Sequence, residues 1–447
     1  MQRVFDFLRC DDLPPLTRPN YAAELRQITL WGLVVGAVDG ALASIVASKT
    51  FHASEAVTTL VWALPSLMNV LNVFWSAFLR GRPRVRLFVI IAICGLVGVA
   101  SIGVNPRTWP HADWVFAAQV GFIHLFLTGL ITLRTTMWRA NYPDTHRARI
   151  AGRLQTVRLL LTLASGSALG ALFDWQAWAY QLMYPLIAVA GLASLWPLRR
   201  IRVRGEKLET RRYREQAAAT ALANARPAAR LWSSLAEAGA ILRTDRLFAK
   251  YMAAQFLLGA ANFFTEPLLI NIITKRFDFR YLDSVLMMTV TPSVVMLLTI
   301  RFWAPLFDRI GVLRFRIWNS LMWTLSYLVT TIAMIVILLG GDGLLPLMIV
   351  ILGLARVVNG LGRAGATIAW FIGHLYFARP NQTELYMGIH VGLTGLRALI
   401  MPFIGLACGR WIGYGSFVVA LTLATCGHVL FRRVARDGAR LSADAAT

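Results

Sequence analysis

The sequence predicts an all-α polytopic membrane protein with twelve transmembrane helices in two bundles of six. Three observations carry that prediction. The 447 residues are 57% hydrophobic and only 15% charged, against about 25% charged in an average soluble domain. Apolar runs long enough to cross a bilayer, about 20 residues each, recur along the whole chain. One long polar segment stands between the sixth run and the seventh. The composition excludes a disordered chain, which needs low hydrophobicity. The four cysteines (Cys10, Cys94, Cys408 and Cys426) lie far apart and form no CxxC pair. That excludes a disulfide scaffold and the common zinc patterns, so no metal and no cofactor is expected.

In the first half the runs fall at roughly 27–48, 56–79, 86–105, 113–137, 150–173 and 176–197. In the second they fall at roughly 249–273, 283–306, 314–339, 344–372, 385–407 and 411–431. No ten-residue alternating pattern recurs, as a membrane barrel requires. Residues 1–26 carry Arg3, Arg9, Arg18 and Arg26 beside Asp6, Asp11, Asp12 and Glu24. That segment is too long and too neutral for the basic start of a signal peptide.

The net charge of +23 sets topology rather than nucleic-acid binding, because no basic stretch joins a nucleic-acid-binding module. One set of loops holds Arg80, Arg82, Arg84 and Arg86, then Arg139, Arg147 and Arg149, then the stretch from Arg199 to Lys250. It continues with Arg309, Arg314 and Arg316, then Arg379, and ends with Arg432, Arg433, Arg436 and Arg440. The other side has only Lys49, Arg107, Lys275, Arg276, Arg280 and Arg410. By the positive-inside rule both termini are cytoplasmic, in a multi-pass protein of the inner membrane. The division expected is a bundle over 1–198, a basic cytoplasmic linker over 199–247, and a second bundle with a cytoplasmic tail over 248–447. The linker's charge suits a position near anionic lipid heads.

The halves resemble each other. Ser48-Lys49-Thr50-Phe51 after span one answers Thr274-Lys275-Arg276-Phe277 after span seven, offset 226. FWSAFLRGRPRVR from Phe74 answers FWAPLFDRIGVLR from Phe302, offset 228. Gly152 in span five answers Gly388 in span eleven, offset 236. Three matches in order, with a slowly drifting offset, indicate a six-plus-six duplication. Transporters are often built from such repeats, with the substrate site near mid-membrane.

Ala304-Pro305-Leu306-Phe307-Asp308-Arg309-Ile310-Gly311 resembles the major facilitator superfamily signature G-x-L-x-D-R-x-G, with Ala304 at the first glycine. The first half departs from the family pattern: Arg80 stands opposite Asp308 and Pro83 opposite Gly311. A second stretch, Tyr386 to Arg397 followed by Pro402 and Gly405, is similar to span eleven of a bacterial branch of that superfamily. The resemblance implies two helical bundles rocking about a central cavity, and implies no substrate. Independently of the name, Asp308 and Arg309 end a helix at the cytoplasmic face, where an acid can pair in one conformation only. Gly311 permits a tight turn. These three residues are the gating candidates, against a plain helix-ending turn.

Ionisable groups inside the membrane are functional candidates by default. Asp39 lies about halfway along span one, and Glu266 lies in span seven beside Pro267. Buried carboxylates of this kind can trade protons, as can His124 in span four. The alternative is structural hydrogen bonding, with His124 a satisfied core histidine. Arg158 in span five, Arg356 and Arg363 in span ten and Arg397 in span eleven can bind a carboxylate or phosphate through a bidentate fork. Arg158, Arg397, Arg356, Asn359 and Asn262 are the substrate-binding candidates. The alternative for the arginines is internal pairing with Asp39, Glu266 or backbone carbonyls. Arg134, Arg153 and Arg301 lie nearer the inner ends, where they are expected to snorkel.

The leading expectation is a secondary active transporter of a small solute, working by alternating access. Protons are the expected coupling ion, an organic anion the expected substrate, membrane lipids the surroundings, and a monomer the working unit. No nucleic acid is expected as a partner. ATP drive is excluded by the lack of a G-x-x-x-x-G-K-[ST] loop. Three alternatives remain: efflux of cationic or neutral drugs or metabolites, a lipid scramblase, and a membrane-embedded transferase. The transferase would use Asp144, His146 and Arg147 at the inner face.

Overall fold

The computed structural model describes residues 13–71, 75, 78–79, 82–208, 210–211, 215, 227–378 and 383–444. Every described element is helical. With Arg80 and Arg379 outside the described residues, the signature's first-half counterpart is seen only in part. Twelve helical passes follow one another, in two compact units. One contains Met1–Asn224 and Phe279–Val285, the other Ala225–Asp278 and Leu286–Thr447.

In the first unit, span one is two helices, Arg18–Val38 and Gly40–Lys49, bent by 42°. It starts at Arg18 rather than near 27, so Glu24 is buried in a helix and is not part of an exposed leader. Span two, Glu55–Met68, opens on Ser54, whose hydroxyl accepts the Val57 N–H at 3.3 Å. A serine there satisfies one of the amide donors that every helix start leaves free. Spans three to six are Arg84–Ile102, Ala112–Asn141, Asp144–Trp175 and Tyr180–Ser194. In the second unit, span seven is Arg246–Asn271, extended by a π-helical turn Ile272–Arg276. Spans eight and nine are one continuous run, Thr291–Gly340, broken at Gly311 (φ 72°, ψ 166°). Only glycine adopts that backbone without strain. Spans ten to twelve are Leu345–Ile372, Thr383–Ile412 and Ser416–Asp444. Another helix, Pro227–Thr244, precedes span seven.

The internal repeat expected from the sequence appears in the packing. Span one packs on spans five and six, and span three on span six. Span seven packs on spans eleven and twelve, and span nine on span twelve. Each pair in the second unit is the first unit's pair moved on by six. Small residues make the tightest crossings. A Cβ on Gly36 would lie 2.6 Å from the Thr162 carbonyl, and one on Gly405 would strike the Phe264 carbonyl. These are the one–five and seven–eleven crossings, and glycine lets both backbones approach. Gly170 serves span five in the same way, its Cβ position 3.2 Å from Leu282 Cα.

Candidate functional site

Each unit holds ionisable side chains inside its helices. In the first, Asp39 occupies the break in span one, with a non-helical backbone (φ −56°, ψ 138°). Its carboxylate is the counter-charge acting on Arg158 of span five. The break leaves carbonyls of the upstream helix without their partners four residues on. Inside a bilayer no water replaces those partners. Two side chains do so instead: His124 Nε2 lies 3.0 Å from the Val38 carbonyl, and the Tyr184 hydroxyl donates to the Ala37 carbonyl at 3.2 Å. A carbonyl only accepts, so Nε2 of His124 carries the proton.

Toward the start of span one lies a buried acid that sequence reasoning passed over. Glu24 is 3% exposed. Its carboxylate accepts from the Trp138 indole N–H and from the Tyr142 hydroxyl at 2.9 Å, and Arg134 acts on it electrostatically. Arg134 itself donates to Gln27 Oε1 at 2.7 Å. Arg134 and the buried Arg153 therefore turn inward rather than snorkel, whereas Arg301 is exposed. The inward turn follows from polar partners within the bundle, which outweigh the reach to the interface. The signal for Glu24 in the sequence was weak: residues 18–26 place Tyr21, Ala22, Ala23 and Leu25 among two arginines and one acid.

In the second unit, Glu266 and Arg356 form a bidentate pair. Arg356 Nη1 donates to Oε1 at 2.8 Å and Nη2 to Oε2 at 3.1 Å. The guanidinium also donates to the carbonyls of Met287 (3.2 Å) and Met288 (3.0 Å). Those carbonyls belong to the π-helical turn Leu286–Val290, whose i→i+5 register frees them. Asn262 Oδ1, Thr265 Oγ1, Asn359 Oδ1 and the Tyr327 hydroxyl are buried without a partner among the described residues. Glu266 and Arg356 both act on Tyr327, which places that hydroxyl in the same group. Unsatisfied polar atoms at this depth are costly, and mark a place built to meet a ligand or water.

Arg397 does not join that pair. Its Nη1 donates to the Gln255 carbonyl and its Nη2 to Thr394 Oγ1 at 2.8 Å. Arg316, expected in a cytoplasmic loop, is instead 1% exposed, at the start of span nine. Its Nη1 donates to Asn319 Oδ1 at 2.9 Å, its Nη2 to Gln255 Oε1, and its guanidinium lies 4.4 Å from the Phe431 ring. Aromatic faces stabilise a buried cation and so hold it inside.

The remaining candidates lie apart from these groups. Asp308 and Arg309 are exposed, both just before the break at Gly311. Of the transferase candidates, His146 opens span five, while the side chains of Asp144 and Arg147 lie outside the described residues. Among the described residues no three of His, Cys, Asp or Glu are grouped as metal ligands.

A paired six-helix architecture with a broken first span and ion pairs at membrane depth defines a polytopic protein of the major facilitator fold. Comparison with solved structures supports that statement. A POT-family peptide transporter in complex with alafosfalin has a TM-score of 0.66 at 12% identity, covering 97% of this chain and 98% of its own. A D-xylose–proton symporter has a TM-score of 0.63 at 11% identity, covering 92% and 96%. The nucleoside transporter NupG has a TM-score of 0.60 at 14% identity, covering 94% and 99%. No family model and no curated protein matches the sequence.

Proposed function

We propose that this protein is a secondary active transporter of a small solute, working by alternating access, with an organic anion as substrate and protons as the coupling ion. The observation that carries the reading is the break in span one at Asp39, opposed by Arg158. Discontinuous helices with ionisable residues at mid-membrane are how transporters build substrate sites. The three similar structures are transporters by title, and one is a proton symporter. Arg158 and Arg397 offer guanidinium groups to an anion, while Arg356, Asn359 and Asn262 supply polar contacts in the second bundle. Asp39, Glu266 and His124 are the groups through which protons couple, and Asp308, Arg309 and Gly311 form the inner gate. The protein acts as a monomer in the cytoplasmic membrane, with both termini inside. Residues 1–198 and 248–447 form the two bundles, joined by the linker 199–247.

The test is uptake into proteoliposomes of a panel of labelled carboxylates, phosphates, neutral solutes and cations, with and without an imposed pH gradient. Gradient-driven accumulation of one anion class, lost in Arg158→Ala and Arg397→Ala, supports the reading. Transport of cations or neutral compounds alone, unaffected by both substitutions, would sink the anion site and assign those arginines to internal pairing.

A further inference from the structure

Several arginines within the helices face an acid: Arg134 faces Glu24, Arg158 faces Asp39, and Arg356 faces Glu266. Among the described residues no carboxylate acts on Arg316 or Arg397; the two act on each other, and Tyr251 lies beside Arg316. Both guanidiniums converge on Gln255, one at its side-chain oxygen and one at its carbonyl. Their exposures are 1% and 3%. Gly259 lies directly beneath Arg397, where any Cβ would strike the guanidinium, so the backbone is shaped to admit it.

Two like charges side by side in a low-dielectric interior repel each other, and each also loses its hydration. A buried charge of this kind is tolerated when it is paired. The nitrogens available for pairing remain unused. Arg316 Nε, Arg397 Nε and His390 Nε2 are buried without a partner among the described residues. His390 is 3% exposed, seven residues before Arg397 on the same face of span eleven, and both arginines act on it.

We infer that Arg316, Arg397 and His390 form a binding site for one compact oxyanion, of the phosphate or carboxylate class, inside the second bundle. The two guanidinium Nε–H groups and the imidazole N–H donate to its oxygens, and its charge offsets the two arginines. Guanidinium groups favour oxyanions over halide because their planar donors match paired oxygens. The near-complete burial of both arginines selects a free ion over a lipid headgroup. The site shares Arg397 with the proposed transport pathway, yet its occupancy does not depend on transport.

The test uses the full chain, purified in an uncharged detergent and dialysed into Tris chloride buffer free of phosphate and carboxylates. Inorganic phosphate is the probe, added at constant ionic strength, with thermal midpoint and titration calorimetry as readouts. A ligand that binds the folded state raises the midpoint by mass action. The expected result is a saturable rise with one phosphate bound per chain, an affinity at least tenfold weaker in Arg316→Gln and in Arg397→Gln, and no change in Arg301→Gln. If either arginine variant fails to fold, His390→Ala carries the comparison, with a smaller loss expected. Absence of saturable binding to the wild type overturns the inference, as does undiminished binding in the variants. Chloride matching phosphate, or a response to phosphatidylglycerol alone, overturns it too. Because the readout is binding, a protein that transports nothing can still pass, and a protein that fails here can still transport through Arg158.

Discussion

Removing one partner of the Glu266–Arg356 pair tests whether that pair stabilises the second bundle as its geometry requires. Arg356 makes four hydrogen bonds, two to Glu266 and one each to Met287 and Met288. Both side chains are about 5% exposed or less. Glu266→Gln leaves a guanidinium that cannot lose its proton, still bound to two carbonyls but without its counter-charge. Arg356→Met leaves the carboxylate and both carbonyls without their donor. Breaking a buried pair from one side costs about 3–5 kcal/mol. Independent effects would therefore sum to about 6–10 kcal/mol in the double variant. In the double variant Glu266→Gln, Arg356→Met no charge remains, so we expect a total of about 2–6 kcal/mol, about 1–3 for each of the two freed carbonyls. The coupling energy should thus be about 4 kcal/mol at the middle of these ranges. The assay is denaturant unfolding in mixed micelles, followed by tryptophan fluorescence. Additive single effects, or singles each costing under about 1 kcal/mol, would refute the reasoning and mean that water reaches the pair.

Further outcomes follow from individual contacts. His124→Ala should cost about 1–3 kcal/mol, by leaving the Val38 carbonyl bare, and His124→Gln should recover part of it, because an amide N–H can donate; equal losses in the two unfolding curves would remove the capping role. Gly36→Val should lower the unfolding midpoint, since its Cβ would sit 2.6 Å from the Thr162 carbonyl and 2.8 Å from Ser165 Cβ; an overpacking cost of about 1–3 kcal/mol is expected, against little effect for Gly152→Ala, where nothing lies within 4 Å. Asp174 accepts the Tyr281 and Leu282 N–H groups at 2.8 and 2.9 Å. Asp174→Asn keeps only one acceptor oxygen, so hydrogen exchange at one of those two amides should accelerate while the other stays protected. The surface pair Lys250–Asp437, at 2.6 Å with side chains 52% and 33% exposed, should behave differently: Lys250→Ala should shift stability by under about 1 kcal/mol, measured in the same unfolding assay.

Much of the architecture was legible in the residues. Apolar runs of bilayer length need no partner to be recognised, because the bilayer itself imposes their length. The repeat was legible because matching turns, such as Lys49-Thr50-Phe51 and Lys275-Arg276-Phe277, recur in order. Gly311 was legible for a local reason: its positive φ belongs to the residue and its turn.

Charged side chains at helix ends were not legible in that way. Arg316 reads as a loop residue because its sequence neighbours Arg309 and Arg314 are polar, yet it is buried against Gln255, Asn319 and Phe431. Asn319 is one turn along the same helix, but Gln255 and Phe431 lie on other helices, 61 and 115 positions away. Glu24 is likewise defined by Trp138 and Tyr142, more than a hundred residues on. Whether a long charged side chain reaches out to water or in to a partner depends on which helix packs beside it, a nonlocal fact. The break at Asp39 is of the same kind. Gly40 after Asp39 is only a weak local mark of it, and it stands because Tyr184 and His124, on other helices, donate to the freed carbonyls. The sequence by itself determined the number of passes, their order and the duplicated plan, since hydropathy is a property of each segment. Which acids meet which arginines, and which arginines meet none, was decided only by tertiary packing, because a buried charge is stabilised by what surrounds it and not by what precedes it in the chain.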